Sequence, residues 1–317
     1  MNTTALIVIL VLVAILAFSI VIGFYANKKM VFRDPLGKDS EAYLKKMEKS
    51  CPGITGWIRE NVCDQTGAEP NPAATYQKTA LTNKDGHRVT AYHTTAGKES
   101  NGVVLLLHGQ NGCALQMMPY SKMYLEMGYD VLIPNWEHHG DSEGDATQMG
   151  FQEKEDCAMW IEKAMELYPE ASKKHLVLHG VSMGAATAML CSQNEHVTEV
   201  IEDCGYSTLH SEIVDQFYHM HMPGVLGAFG FGIVNAVRLV WFPSMVKPIK
   251  SVSQSTIPMF FIHGSSDSTV PYWMARSLHA SKITGRKELW KVEGVGHAKT
   301  IYIFPEEYHK RVAEFLG

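Results

Sequence analysis

The chain is short of positive charge: 28 Lys and Arg stand against 33 Asp and Glu, a formal net charge of −5 over 317 residues. No basic face therefore advertises a nucleic acid as partner. Cysteine is scarce too. Six residues cannot build a disulfide framework, and none has the Cys-x-x-Cys spacing of a zinc or redox site. Cys157, Cys191 and Cys204 fall in apolar stretches and read as buried free thiols. Cys51 and Cys63 sit in a loop-rich segment where a bridge is plausible. There is no Gly-x-x-x-x-Gly-Lys-Ser/Thr loop to cradle a phosphate. Internal repeats and low-complexity tracts are missing, which excludes a solenoid. With 46% apolar and 19% charged residues the chain is neither disordered nor fibrous.

Charge is also missing locally, for no Asp, Glu, Lys or Arg precedes Lys28. Ala5 to Ala26 is an apolar run with Ser19 as its one clearly polar side chain. A bilayer core of ~30 Å needs roughly 20 such residues in a helix, so the run matches a span. A cleaved signal peptide is the other reading. Met1-Asn2-Thr3-Thr4 carries no basic side chain, the run is long and no clean Ala-x-Ala site follows, so an uncleaved anchor over 1–27 is expected. Lys28, Lys29 and Arg33 flank its C-terminal end, which by the positive-inside rule puts the rest of the chain in the cytoplasm at the cell membrane.

From 28 to 73 the sequence is charged and broken by Pro-Gly, with EAYLKKMEKS as a short amphipathic helix, and reads as a helical linker. Period-2 segments ATYQKTALT and HRVTAYHTT flank Asn83-Lys84-Asp85-Gly86 and predict an antiparallel hairpin. Beyond it come short apolar runs: 103–107, 129–134, 175–178, 197–202, 259–262 and 288–293. Helical patterns fall at 115–127, 151–167, 184–193, 271–282 and 305–316. Strands apolar on both faces alternating with helices predict an α/β domain over 74–317, a mainly parallel sheet covered on both sides. Ligands of such sheets bind beyond the C-terminal ends of the strands. The 205–256 segment is too long for a simple connection and rich in Phe, Met and Trp. It is expected to form a helical lid whose apolar face lines an acyl pocket, with a membrane-surface contact or a second span as other readings.

Three strand ends carry His-Gly, at His108-Gly109, His179-Gly180 and His263-Gly264. Without carboxylate-rich or His-x-x-x-His spacing these rings are read as structural, and no metal is expected. After the second comes Gly180-Val181-Ser182-Met183-Gly184 and then a helix of small residues. A serine at such a strand-to-helix turn adopts a strained backbone that pushes its hydroxyl out of the sheet, and the flanking glycines leave room for the crossing. A hydroxyl becomes a nucleophile when a base takes its proton and a third group orients the base. Asp267 after the next-to-last strand and His297 after the last follow in the order this architecture requires, with Asp203 as the competing acid. Backbone amides of Met183 and of Gln110, in the loop His108-Gly109-Gln110-Asn111-Gly112, are the candidate oxyanion donors.

Taken together HGQNG, GVSMG, DCGYS, HGSSDSTVP and GVGHA make the chain resemble an α/β-hydrolase-fold serine hydrolase from about Ala74 to Leu316. It is similar to a bacterial membrane-anchored group related to acyl-transferring and prolyl-oligopeptidase-like enzymes. In PNWEHHGDSEG (134–144) Trp136, Glu137 and His138 depart from the residues usual in that group. His138 and His139 are read there as a solvated turn rather than a metal pair. The resemblance implies hydrolysis through an acyl-enzyme, without a cofactor, of a small-molecule acyl substrate. An ester or thioester of a fairly apolar acid is expected, and a peptidase on short peptides is the second reading. A catalytically silent binding protein on the same fold would be expected to have lost one of these residues.

Overall fold

The computed structural model describes residues 3–35, 37, 39–62, 75–97 and 99–317. Cys63 and the 73/74 junction lie outside them. The chain forms two compact units, Asp34–Ser207 with Pro248–Gly317, and Met1–Arg33 with Thr208–Lys247.

The larger unit is built on one eight-stranded sheet. Its strands are β1 (Gln77–Thr82), β2 (Arg88–Thr94), β3 (Gly102–Leu107), β4 (Tyr129–Pro134), β5 (Leu176–Val181), β6 (Glu199–Asp203), β7 (Met259–Gly264) and β8 (Lys287–Val292). They lie in the order β1-β2-β4-β3-β5-β6-β7-β8. β1 pairs antiparallel with β2, and β2 with β4, while β3 to β8 run parallel. The turn of the first hairpin closes because Gly86 takes a φ of 83° and the Asn83 side chain accepts from the amides of Asp85 and His87. Every residue of β3, β4, β5 and β7 is buried, as expected of strands covered on both faces.

The first helix, α1 (Thr3–Met30), belongs to the smaller unit. In the larger unit α2 (Ser40–Ser50) and α3 (Ile54–Asn61) come first. The expected helix EAYLKKMEKS forms as α2, and with α3 it folds onto the body of this unit. Tyr43, Leu44 and Met47 of α2, then Ile54, Ile58 and Val62, make apolar faces at helical spacing that join the core with Leu106, Tyr124 and Tyr308. Asp39 caps α2 by accepting from Ala42 N, and the Glu48 carboxylate accepts from the amides of Gly53 and Thr55 at the start of α3. Short helices with both starts satisfied and one greasy side hold to a core where their propensity alone would not.

The helices between strands are α4 (Met118–Glu126), α5 (Glu153–Leu167) and α6 (Met183–Leu190), the last ending three residues before the sequence pattern does. In the smaller unit α1 is joined by α7 (Leu209–His219) and α8 (Gly224–Leu239). Thr208 caps α7, and Phe217 of α7 lies so close to Gly227 that a Cβ there would meet its ring at 2.6 Å. By length and composition α1 can cross a membrane. Back in the larger unit come α9 (Pro248–Gln254), α10 (Trp273–Ser281), α11 (Thr300–Ile303) and α12 (Pro305–Leu316). Cys113, Cys157, Cys191 and Cys204 are buried free thiols.

If α3 is part of the core, Ile58→Ala lowers the unfolding free energy of the detergent-solubilised full chain by about 2–5 kcal/mol, the usual cost of a buried Ile truncation. Chemical denaturation reads this, and an unchanged midpoint shows a segment that does not contribute to the fold.

Candidate active site

Ser182 leaves β5 at φ 57° and ψ −117°, a left-handed backbone that costs a non-glycine residue about 1–3 kcal/mol. Close backbone packing holds it there. A Cβ on Gly180 would meet the Gly184 carbonyl carbon at 2.2 Å, and one on Gly184 would meet the Leu107 oxygen at 2.0 Å. The strand, the turn and α6 therefore cross at a distance that only glycine permits. The Ser182 amide is tied to the Asp203 carbonyl at 2.8 Å, which fixes the turn against β6.

A third glycine brings the other two residues together. A Cβ on Gly264, at the end of β7, would meet the Val295 oxygen at 2.2 Å, and the Ser266 amide bonds that oxygen at 3.0 Å. The loop after β7 and the loop after β8 are thus clasped backbone to backbone. His297 Nδ1 lies 2.7 Å from Asp267 Oδ2, and His297 Nε2 lies 2.9 Å from Ser182 Oγ. An ionised carboxylate only accepts, so Nδ1 carries the proton and, in the neutral ring, Nε2 accepts from the serine hydroxyl. Asp267 is completed by the amides of Thr269 and Val270, which donate to Oδ1 at 2.8 and 2.9 Å. Burial pushes this carboxyl up, but bonds from His263, His297 and the Val270 amide outweigh it and hold it well below the usual carboxylate range.

The sequence reading passed over His263 as a structural ring. Its Nε2 donates to the Val270 carbonyl at 2.8 Å and stands 3.4 Å from Asp267 Oδ2. Burial lowers its pKa, yet the bonds to Asp267 and to the Val270 carbonyl help turn the net shift upward. Asp203, the competing acid, points elsewhere and accepts from Tyr308 Oη at 3.0 Å. Burial raises it to about 6, and raises its neighbour Glu202 to about 8. The three carboxyls behind the site therefore differ in acidity: Asp267 is held low, while Asp203 and Glu202 are raised by burial.

The Gly109 end of the opposite loop abuts the serine: a Cβ there would lie 3.4 Å from Ser182 Cβ. Gln116, which no motif singled out, accepts from the Gly109 amide at 2.8 Å through Oε1. His139 holds the same loop from behind, with Nε2 against the Gln110 carbonyl and Nδ1 2.8 Å from the Glu137 carbonyl. The expected solvated turn at His138 and His139 is thus corrected, because both rings are buried. Each ring meets a backbone carbonyl, His138 Nδ1 facing the Gly144 oxygen at 3.0 Å.

Ser182 and His297 open into a cleft of about 420 Å³, a size suited to a small molecule. Gln110 and Gly109 form part of its wall, and Tyr43, Met47 and Tyr302 supply ring and thioether surface. Two of these come from α2, which sequence spacing had assigned to a linker. An amphipathic helix shows one greasy face but not which core or cavity it meets. Among the described residues no Asp or Glu lines the cleft, and its cationic side chains are Lys46 and Lys299. The arrangement can move a proton from a hydroxyl to an imidazole whose far side is fixed by an anion, next to backbone amides at a helix start.

Above about pH 7.5 a free histidine, with a pKa near 6.5, is mostly deprotonated, and a raised buried carboxyl still contributes to the pH dependence of stability up to about pH 8. Glu202 is protonated in the fold and ionised when unfolded, which favours the native state below the unfolded pKa and less and less up to about 8. Raised Glu153, near 7, acts in the same sense. Glu202→Gln is therefore expected to flatten the loss of stability over this window, as read by thermal melts at half-unit pH steps. A parallel decline in both proteins refutes the assignment.

No protein-family model matches the sequence. The chain is 27% identical to the uncharacterized protein YqkD of Bacillus subtilis over 241 residues, 73% of this chain and 76% of the relative. It is 20% identical to the uncharacterized membrane protein YNL320W of Saccharomyces cerevisiae, over 76% of this chain and 79% of that one. Among solved structures the esterase Pf2001 of Pyrococcus furiosus superposes with a TM-score of 0.63 at 26% identity, covering 76% of this chain and 91% of the esterase. The sheet order, the glycine-tight turn at Ser182 and these likenesses agree: the chain has the α/β-hydrolase fold.

Proposed function

We propose that the protein is a membrane-anchored serine hydrolase that cleaves a carboxylic ester or thioester of a fairly apolar acid. The observation that carries the reading is the hydrogen-bonded line from Ser182 Oγ through His297 to Asp267, with contacts of 2.9 and 2.7 Å. In this mechanism Ser182 attacks the carbonyl while His297 accepts its proton, and Asp267 keeps the ring oriented and stabilises the imidazolium. The amides of Met183, at the N-terminus of α6, and of Gln110 hold the oxyanion. His297 then returns the proton to the leaving alcohol or thiol, and water attacks the acyl-serine by the same route in reverse order.

The apolar lining from Tyr43, Met47 and Tyr302 supports an apolar acyl group. The esterase named for the Pyrococcus furiosus structure supports ester chemistry. A peptidase on short peptides is the weaker reading, because a free peptide amine calls for a carboxylate and none lines the cleft among the described residues. A silent binding protein would not need Ser182 kept at the cost of a left-handed backbone. The anchor is α1, and Lys28 and Lys29 in its last turn, with Arg33 after it, favour a cytoplasmic body.

A fluorophosphonate probe is expected to label the wild type and not Ser182→Ala, as seen by in-gel fluorescence. Equal labelling of the two ends the serine-hydrolase reading. Asp267→Asn, which disturbs the tautomer but not the space, should lower kcat by roughly 10³–10⁴-fold on a p-nitrophenyl ester. Turnover of aminoacyl anilides alone, across a panel that includes esters of rising chain length, replaces the ester reading with the peptidase.

A further inference from the structure

The contact between α1 and α8 in the smaller unit is made by small and amide residues. α8 lies against α1 with backbone touching backbone: a Cβ on Gly230 would meet the Ser19 carbonyl oxygen at 1.7 Å, and one on Gly23 would meet the Gly230 carbonyl carbon at 2.2 Å. Asn27 of α1 donates across the contact to the Phe231 carbonyl at 3.2 Å, and Asn235 donates to the same oxygen at 3.0 Å. Ser19, Asn27 and Asn235 are all buried. Small residues that let helices approach, with amide side chains bonded inside the contact, are the pattern of helices associating in lipid.

The outward face of α8 is the apolar one. Val225, Phe229, Val237 and Val240 are 60, 52, 79 and 84% exposed. Leu226, Ile233 and Ala236 lie half-buried along the same side. Exposed Phe18, Val21, Phe24 and Tyr25 of α1 extend that surface past the helix contact. A soluble surface rarely leaves so large an apolar patch bare. Arg238 is the one Asp, Glu, Lys or Arg between Asp215 and Lys247, and it stacks on Phe32 at 4.3 Å, beyond the apolar run of α1 and near Lys28 and Lys29. From Phe229 to Leu239 α8 rises about 15 Å, roughly the hydrocarbon depth of one leaflet.

We infer that α8 is a second membrane element, its Val225–Phe229–Val237–Val240 face lying against lipid acyl chains beside the C-terminal half of α1, with Arg238 at the headgroups. The occupant of this face is lipid because the face continues the lipid-facing surface of α1 and its one cation sits at the end where the anchor's own basic cluster emerges. The inference rests on α1 being the anchor and is independent of the chemistry at Ser182.

The test uses the full chain in phosphatidylcholine–phosphatidylglycerol vesicles, with Cys51 and Cys63 replaced by Ser and one bimane-labelled cysteine introduced at a time. Phe229→Cys and Val237→Cys probe the face, Val240→Cys repeats the test at the helix end where packing is least disturbed, Val11→Cys reports α1 and Lys84→Cys reports water. Lipids brominated on their acyl chains are expected to quench the 229, 237 and 240 labels to within about twofold of the Val11 label, as for buried apolar faces, while the Lys84 label is untouched. Quenching at Val11 without quenching at the other three overturns the inference and leaves the anchor standing. Loss of quenching at Val11 as well removes both. Labels on α8 that become accessible to brominated lipid only on dilution of the protein in the bilayer assign the face to a second copy of the chain and also overturn it.

Discussion

Three backbone-to-backbone approaches that only glycine allows hold this site together. Gly180 against Gly184 and Gly184 against Leu107 force Ser182 into its left-handed turn, and Gly264 against Val295 clasps the loops that carry Asp267 and His297. The approach costs the serine conformational energy, which packing of β3, β5 and α6 offsets. A methyl group at any of the three positions would meet main-chain atoms, which have no rotamer to move into. The short serine–imidazole and imidazole–carboxylate contacts follow from that rigidity.

Around this frame the polar burial is graded. Asp267 gathers two amides and two histidines and is held as an anion despite its burial. Asp203, one strand away, meets a tyrosine hydroxyl, and Glu202 meets a single amide from Gly205, so desolvation pushes both toward the neutral acid. His179 shows the same principle for a base. It sits between Tyr124 and Tyr308 with no carboxylate in contact, and burial drives its pKa down to about 3. Of the three His-Gly strand ends, the ring after β7 is the one that touches the orienting acid. Placement of hydrogen-bond donors, rather than distance along the chain, separates the acid that can orient a base from those that cannot.

The smaller unit follows a different rule. Where α1 meets α8 the buried positions include Gly, Ser and Asn, and Val and Phe stand on the outward side of α8, whereas in the larger unit Leu and Val fill the strands. A single sequence thus carries two packing chemistries. One excludes water from a core. The other exchanges main-chain proximity and amide bonds where the surrounding solvent is itself apolar.

Much of the fold was legible in the letters, because period and solvent exposure leave direct marks. Runs apolar on both faces located the parallel strands, Asn83 to Gly86 located the hairpin, and the glycines beside Ser182 located the turn. What stayed hidden depends on which surfaces meet. Nothing in EAYLKKMEKS tells that Tyr43 and Met47 line a cleft with Ser182, that Gln116 bonds Gly109, or that His138 and His139 are buried, since each is polar or amphipathic and takes its partner from a distant segment. Asp267 and Asp203 both end strands and both suit an acid. The sequence by itself determined the order of strands and the residue types needed at their ends. Only the tertiary structure decided which carboxylate faces the imidazole, because that choice rests on loop approaches of a few ångströms between residues 30 and 115 positions apart.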